Sequence, residues 1–236
     1  MKKIIVFLFF LLGMVSFTYA QKWEFGVNAG LFRNGSVNRA EGSGGNFAGI
    51  WNVYSSFNNI TNYRVGLFVR KHFSKFYVAT GASIDFNQQM DVVFENVYHN
   101  DPNYGENIYY SYPMQTISVP ITGGVSFYKG FGLETGFIWE FDVAHRDVAS
   151  ANPEIRQYAG AISRAFNKNY WRYTGGLFYQ YKRIRASVDF QYDLGWVIHE
   201  IPYSYVDHND EVHAVTDLFE KRYSISFTLS YSVFSK

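Results

Sequence analysis

The sequence predicts an all-β fold: an eight-stranded antiparallel up-and-down transmembrane β-barrel with four long extracellular loops. Three observations predict it. Apolar and charged residues separate with a period of two, tight and long connections alternate along the chain, and aromatic residues make up 20% of it, with 20 Tyr and 23 Phe. Successive side chains of a strand point to opposite faces. Strict alternation over a long window therefore means a strand whose two sides meet different media. Between 184 and 196 one face carries Ile184, Ala186, Val188, Phe190, Tyr192, Leu194 and Trp196, and the other carries Arg185, Ser187, Asp189, Gln191, Asp193 and Gly195. A membrane barrel supplies such a pair of media, hydrocarbon outside and a polar interior within.

Residues 1–20 read as a cleaved signal peptide, leaving 21–236 as the barrel. Lys2 and Lys3 form a basic start, 4–15 is apolar, and Thr18-Tyr19-Ala20 offers small residues at a cleavage site. The apolar run falls short of the roughly 20 residues a spanning helix needs.

Eight segments alternate in turn. The first, 23–33, sets Trp23, Phe25, Val27 and Leu31 against Glu24 and Asn28, and the second, 63–71, sets Tyr63, Val65, Leu67 and Val69 against Arg64 and Arg70. Segments 76–86 and 117–127 follow, the former with Asp85 on its polar phase. In 131–143, Phe131, Leu133, Phe137, Trp139, Phe141 and Val143 oppose Glu134, Glu140 and Asp142. Segment 171–181 places Arg172 among its polar positions, 184–196 is described above, and 223–233 closes the set. Each is about the length a tilted strand needs to cross a bilayer. The connections at 71–76, 129–130 and 182–183 are tight turns, whereas 34–62, 87–116, 144–170 and 197–222 are long. That rhythm puts short turns and both termini at the periplasmic end. Stretches 92–98 and 108–112 look extended and should lengthen strands beyond the membrane.

The two faces must still be assigned to inside and outside. An eight-stranded barrel has an interior just wide enough for side chains to fill it. The bulky apolar phase cannot fit there and must point outward. The polar phase is rich in Gly and Ser, and its mid-strand ions are Arg, Asp and Glu without Lys, which suits enclosed guanidinium–carboxylate pairing.

Composition excludes several classes. The formal charge is +1, or −1 once Lys2 and Lys3 leave with the signal, so no basic footprint for nucleic acid exists. Cysteine is absent, which removes disulfides, thiol catalysis, cysteine metal sites and a lipid-anchored cysteine. No cofactor is expected.

The first strand Trp23-Glu-Phe-Gly-Val-Asn-Ala-Gly, the central Ile117-Ser-Val-Pro-Ile, Arg172-Tyr-Thr-Gly-Gly-Leu and the final run from Tyr223 to Phe234 resemble the outer-membrane β-barrel proteins of the Bacteroidetes, the group called porin-like or PorT-like. The resemblance spans nearly all of 21–236. It implies the cell outer membrane and an eight-stranded barrel, with no shared catalytic set. Its implied partners are outer-membrane lipid and lipopolysaccharide, the outer-membrane assembly machinery, and a surface ligand or protein not yet identified. The chain departs from the family's aromatic last residue, since Ser235-Lys236 follow Phe234.

Alternation places Glu24, Asp85, Glu134, Glu140, Asp142, Asp189 and Asp193 in the lumen with Arg64, Arg70, Arg172, Arg185 and Arg222. Isolated buried charges cost several kcal/mol, so these should pair. The expectation is a salt-bridge core filling the lumen, with an ion or proton path as the alternative. His208 and His213, beside loop carboxylates, are weak candidates for a divalent metal, because no regular spacing makes them converge. His72 and Ser74 lie side by side in a tight turn without an evident acid, which sets a lipid-modifying enzyme below a binding or structural role. Gly42-Ser43-Gly44-Gly45 lacks the Lys and helix of a phosphate loop. A narrow porin-like channel is the other alternative.

Overall fold

The computed structural model describes residues 21–37, 51–57, 60–96, 108–144, 153–198, 203–206, 212–215 and 221–235. The expected signal, residues 1–20, lies outside them. Strands β1 (Gln21–Ser36), β3 (Thr61–Phe73), β4 (Phe76–Asn96), β5 (Ile108–Tyr128), β6 (Phe131–Asp142), β7 (Asn169–Tyr181), β8 (Ile184–Asp193) and β11 (Arg222–Ser235) form a closed antiparallel ring. β4 pairs with β5 on one side and β11 returns to β1 on the other, so the eight strands leave no open edge. Closure satisfies the backbone polar groups internally, as a sheet in hydrocarbon requires.

Alternation along each strand sorts side chains as the sequence predicts. On β11, Tyr223, Ile225, Phe227, Leu229, Tyr231 and Val233 point outward while Arg222, Ser224, Ser226 and Ser232 are buried. Leu67 is 65% exposed between the buried Arg64 and Arg70 of the same strand. The barrel thus wears an apolar belt outside and a charged core inside. Aromatic rings cluster at both ends of that belt, with Trp23 stacked on Phe25 and Phe131 4.7 Å from Tyr179 at the tight-turn end, and Trp139 stacked 5.6 Å from Trp171 toward the loops. The turns use left-handed backbone at Ser74, Lys129, Gly130 and Lys182, which lets two-residue connections match strand twist.

The long connections carry structure of their own. β2 (Trp51–Phe57) continues the line of β3 along β4, pairing Phe57 with Met90 where β3 pairs Tyr63 with Phe86. β4 and β5 run on together to Phe94 and Ile108, as the extended stretches predict. A hairpin forms between β9 (Tyr203–Val206) and β10 (Val212–Val215). Stretch 144–170, expected as a loop, contains helix α1 (Pro153–Ala165). Pro153 opens it, where a missing N–H costs nothing. The buried residues Ala159, Ile162 and, just past its end, Phe166 recur at helical spacing.

Segment 184–196 also differs, since the strand ends at Asp193. Past it, Trp196 O accepts from Asn167 Nδ2 and Val197 O from Asn167 N. Val197 and Ile198 turn inward beneath α1. They join Phe57, Met90, Val92, Tyr112, Met114, Ala159, Ala161, Ile162, Phe166 and Tyr170 in one apolar core. The Tyr112 hydroxyl donates to the Ala159 carbonyl at 3.0 Å and ties the helix to β5. This core roofs the loop end of the barrel.

A bulge makes the roof possible. β4 shifts register between Asp85 and Gln88, with Asn87 at a φ of 65°. Inward residues are odd-numbered up to Asp85 and even-numbered from Gln88, so Met90 and Val92 face the helix.

Candidate functional site

The lumen is filled in layers. At the turn end Glu24 of β1 accepts from Arg70 Nη1 at 2.9 Å and from Ser232 of β11. His72 Nε2 lies 2.8 Å from the same carboxylate. Glu134 of β6 accepts from Arg185 Nη2 at 2.9 Å and from the Tyr77 hydroxyl. The Arg185 guanidinium stacks 3.5 Å from the Phe178 ring centroid and 4.7 Å from that of Tyr77, and Arg70 lies 5.0 Å from Tyr77. Ring faces stabilise cations that have left water.

These inward rings were not foreseen from the polar phase. Each stands opposite a glycine on the next strand: Phe68 beside Gly26, Tyr77 beside Gly124, Phe178 beside Gly132. A Cβ on Gly124 would come within 2.3 Å of the Tyr77 ring, and one on Gly132 within 2.2 Å of Phe178. Small and large alternate so that the narrow lumen fills. The signal available in the sequence was an aromatic residue on a charged phase facing a glycine on the neighbouring one.

In the middle, Arg64 and Asp85, directly opposed on β3 and β4, make a two-pronged pair with both contacts at 2.6 Å. Beside it is a cavity of about 100 Å³ lined by Asn28, Arg64, Arg70, Arg185, Asp189 and Gln191 among others. That is room for several waters. Asn28 Oδ1, Arg70 Nε, Arg185 Nη1 and Gln191 Oε1 are buried without a protein partner, so water is the group this cavity calls for.

At the loop end four ions alternate in sign. Arg172 of β7 bonds Glu140 of β6 at 2.8 Å and lies 2.7 Å from Asp193 of β8. Arg222 of β11 reaches Glu140 and lies 3.2 Å from Asp193. All four side chains are 0% exposed. Tyr170 donates to Glu140 at 2.9 Å and is itself 2.6 Å from Arg222 Nη2. Arg172 also reaches Ser224, which donates to Asn34 Oδ1 at 2.6 Å, and Gln88 donates to Thr116 Oγ1 at 3.0 Å. Tyr170 belongs to the apolar roof as well, so the ion layer and the roof are one continuous plug.

These layers account for ten of the twelve residues expected in the lumen, each with an oppositely charged partner. Asp189 differs: it is held by the Ser187 hydroxyl at 2.9 Å, with no arginine in ion-pair range among the described residues. Asp142 sits half-buried near the rim, where it accepts from the Ala144 N–H at 3.1 Å. His208 lies outside the described residues. His213 sits on β10 opposite Tyr205. The turn histidine does meet an acid, since Glu24 comes from the neighbouring strand, a contact invisible from the turn's own sequence.

Fold and interior together define a class: a closed eight-stranded β-barrel with a lipid-facing belt and a packed, charged lumen. Among solved structures the chain is similar to Neisserial surface protein A at 9% identity, over 88% of this chain and 96% of that one, with a TM-score of 0.39. It is similar to the outer membrane protease OmpT from Escherichia coli at 11% identity, over 92% of this chain and 99% of that one, with a TM-score of 0.35. It is also similar to a mutant of the monoaromatic hydrocarbon channel TodX at 10% identity, over 93% of this chain and 60% of that one, with a TM-score of 0.33. No protein-family model matches the sequence. No curated protein matches it either.

Proposed function

We propose that this chain is an integral protein of the bacterial outer membrane that does not conduct, and that its role lies in the structured cap on its extracellular side. One observation carries the reading: the Glu140–Arg172–Asp193–Arg222 layer is wholly buried under an apolar roof. A conducting path needs water through that level, and opening it would strip partners from four buried charges. The cap presents α1 and, on the same side, the β9–β10 hairpin, so a surface ligand or protein partner would meet these elements. Outer-membrane placement rests on the lipid-facing belt and on strand closure. The assembly machinery would read the last strand, β11, up to Phe234. The resemblance to Bacteroidetes porin-like and PorT-like barrels fits this reading without adding an activity. We read the chain as having no catalytic site, with His72 serving the Glu24 cluster.

The test is planar-bilayer recording of the purified full chain. The expected record is a flat baseline. Steady single-channel steps that scale with salt would overturn the closed-lumen reading in favour of a narrow porin.

A further inference from the structure

We propose that the bilayer face of β4 to β7 carries a binding site for one anionic glycerophospholipid of the periplasmic leaflet, with an acyl chain in a glycine-floored groove and the phosphate at the lysines of the adjoining turns. The proposal rests on the reading that the barrel lies in a bilayer with its tight turns toward the periplasm.

The outward row across these strands runs Val78, Gly123, Thr135, Gly175. Gly123 leaves a depression in this row, bounded two strands away by the Tyr173 hydroxyl, which lies 3.1 Å from where a Cβ on Gly175 would stand. A Cβ built on Gly123 meets nothing nearer than the Tyr77 carbonyl at 3.7 Å, so the space above it is open. Phe76, Leu133, Leu177 and Tyr173 wall the groove, whose volume is about 850 Å³. The polar groups in it are already matched. The Thr135 and Tyr173 hydroxyls are 2.9 Å apart, and Thr135 also lies 3.1 Å from the Thr174 carbonyl. An apolar chain therefore buries no unmet hydrogen bond there.

Charge at the groove's lower end selects the headgroup. The three tight turns carry Lys75, Lys129, Lys182 and Arg183. The turns are linked into one rim, because Lys75 O accepts from Ser126 N and Gly130 O from Gln180 N, both at 2.8 Å. Among the described residues that face outward or lie in turns at this end, none is Asp or Glu. The nearby acids, Glu24 and Glu134, point inward and hold arginines. Lys129 and Lys182 lie over the rings of Tyr128 and Tyr181, each 5.2 Å from the centroid, which keeps the ammonium groups at headgroup depth. A phosphate there meets several cations, and a chain rising from it enters the groove beside Phe76, the residue after Lys75.

The experiment is native mass spectrometry of the full chain released from micelles titrated with dioleoyl phosphatidylglycerol or, separately, dioleoyl phosphatidylcholine. One phosphatidylglycerol should be retained per barrel, and phosphatidylcholine much less. Gly123→Leu should fill the groove, and Lys75→Gln with Lys129→Gln should remove the headgroup contacts, each cutting retention about tenfold or more. Heat-shifted gel mobility checks that each variant is folded, and the turn lysines, being exposed, leave the fold intact if the groove variant does not. Retention equal to the parent in the charge variant, or equal retention of the two lipids, would overturn the proposal. A chain that fails to insert into vesicles would instead refute the membrane reading itself.

Discussion

Glu140→Gln tests the interior most directly. In the native barrel the carboxylate takes Arg172 at 2.8 Å, Arg222, and the Tyr170 hydroxyl at 2.9 Å, with no exposure to solvent. The amide keeps the shape but leaves two guanidinium groups to share Asp193 alone. Removing one partner of a buried ion network costs about 3 to 5 kcal/mol, because the charge left behind stays desolvated. With a urea slope of about 2 kcal/mol per molar, the unfolding midpoint should fall by about 1.5 to 2.5 M. Tryptophan fluorescence of the vesicle-folded barrel reads it. Adding Arg172→Met restores balance, since Arg222 and Asp193 then face each other as a pair, and should recover about 0.5 to 3 kcal/mol relative to the sum of the single changes. An unchanged midpoint for Glu140→Gln, or strict additivity in the double variant, would refute the claim that these groups act as one network.

Four further outcomes are expected. Leu229→Arg, on the lipid face, should cost about 2 to 4 kcal/mol if it lies near mid-bilayer, measured by the same midpoint; a neutral result would reverse the assignment of faces. Gly136→Ala, whose Cβ would sit 2.2 Å from the Ile121 carbonyl, should destabilise by about 1 to 3 kcal/mol, while Gly123→Ala should be tolerated, and equal midpoints would count against the register. Ile162→Ala should cost about 2 to 5 kcal/mol locally, seen as faster hydrogen exchange in α1 with the membrane strands still protected; unaltered exchange would mean that the roof does not depend on this contact. Because the chain has no cysteine, Arg164→Cys and Ser74→Cys give clean labels. An impermeant maleimide on intact cells should reach the first and spare the second, and the opposite pattern would invert the topology.

The barrel was legible because its signal is local: Phe227, Leu229 and Tyr231 alternating with Thr228 and Ser230 suffice to write a two-sided strand without knowledge of its neighbours. Arg64 and Asp85 were legible as lumen residues for the same reason, and their direct opposition follows once β3 and β4 share a tight turn. The roof was not, because its partners lie far apart in the chain. Phe57, Met90, Ile162 and Ile198 each sit in a stretch too short or too mixed to declare a period, and their common burial appears only when the strands bring them together. Helix α1 was hidden although Ala159, Ile162 and Phe166 repeat at helical spacing, because it lies inside a connection whose place between two spanning strands reads as a loop. The contact between His72 and Glu24 was hidden for a related reason: the acid reaches the turn through the β1–β3 register, not through sequence proximity.

The bulge at Asn87 separates two coding schemes on one strand. Below it, the odd positions of β4 fill the lumen and the even ones meet lipid; above it, the requirements exchange. Residues beyond Asn87 keep the alternation with its parity reversed, and their inward set passes from the ions of the lumen to the apolar Met90 and Val92 of the roof. A homologue that gained or lost one residue within 76–85 would turn its barrel wall inside out, whereas an equal change past the fault would disturb the roof alone. The passage from charged lumen to apolar roof is written into β4 as a change of parity.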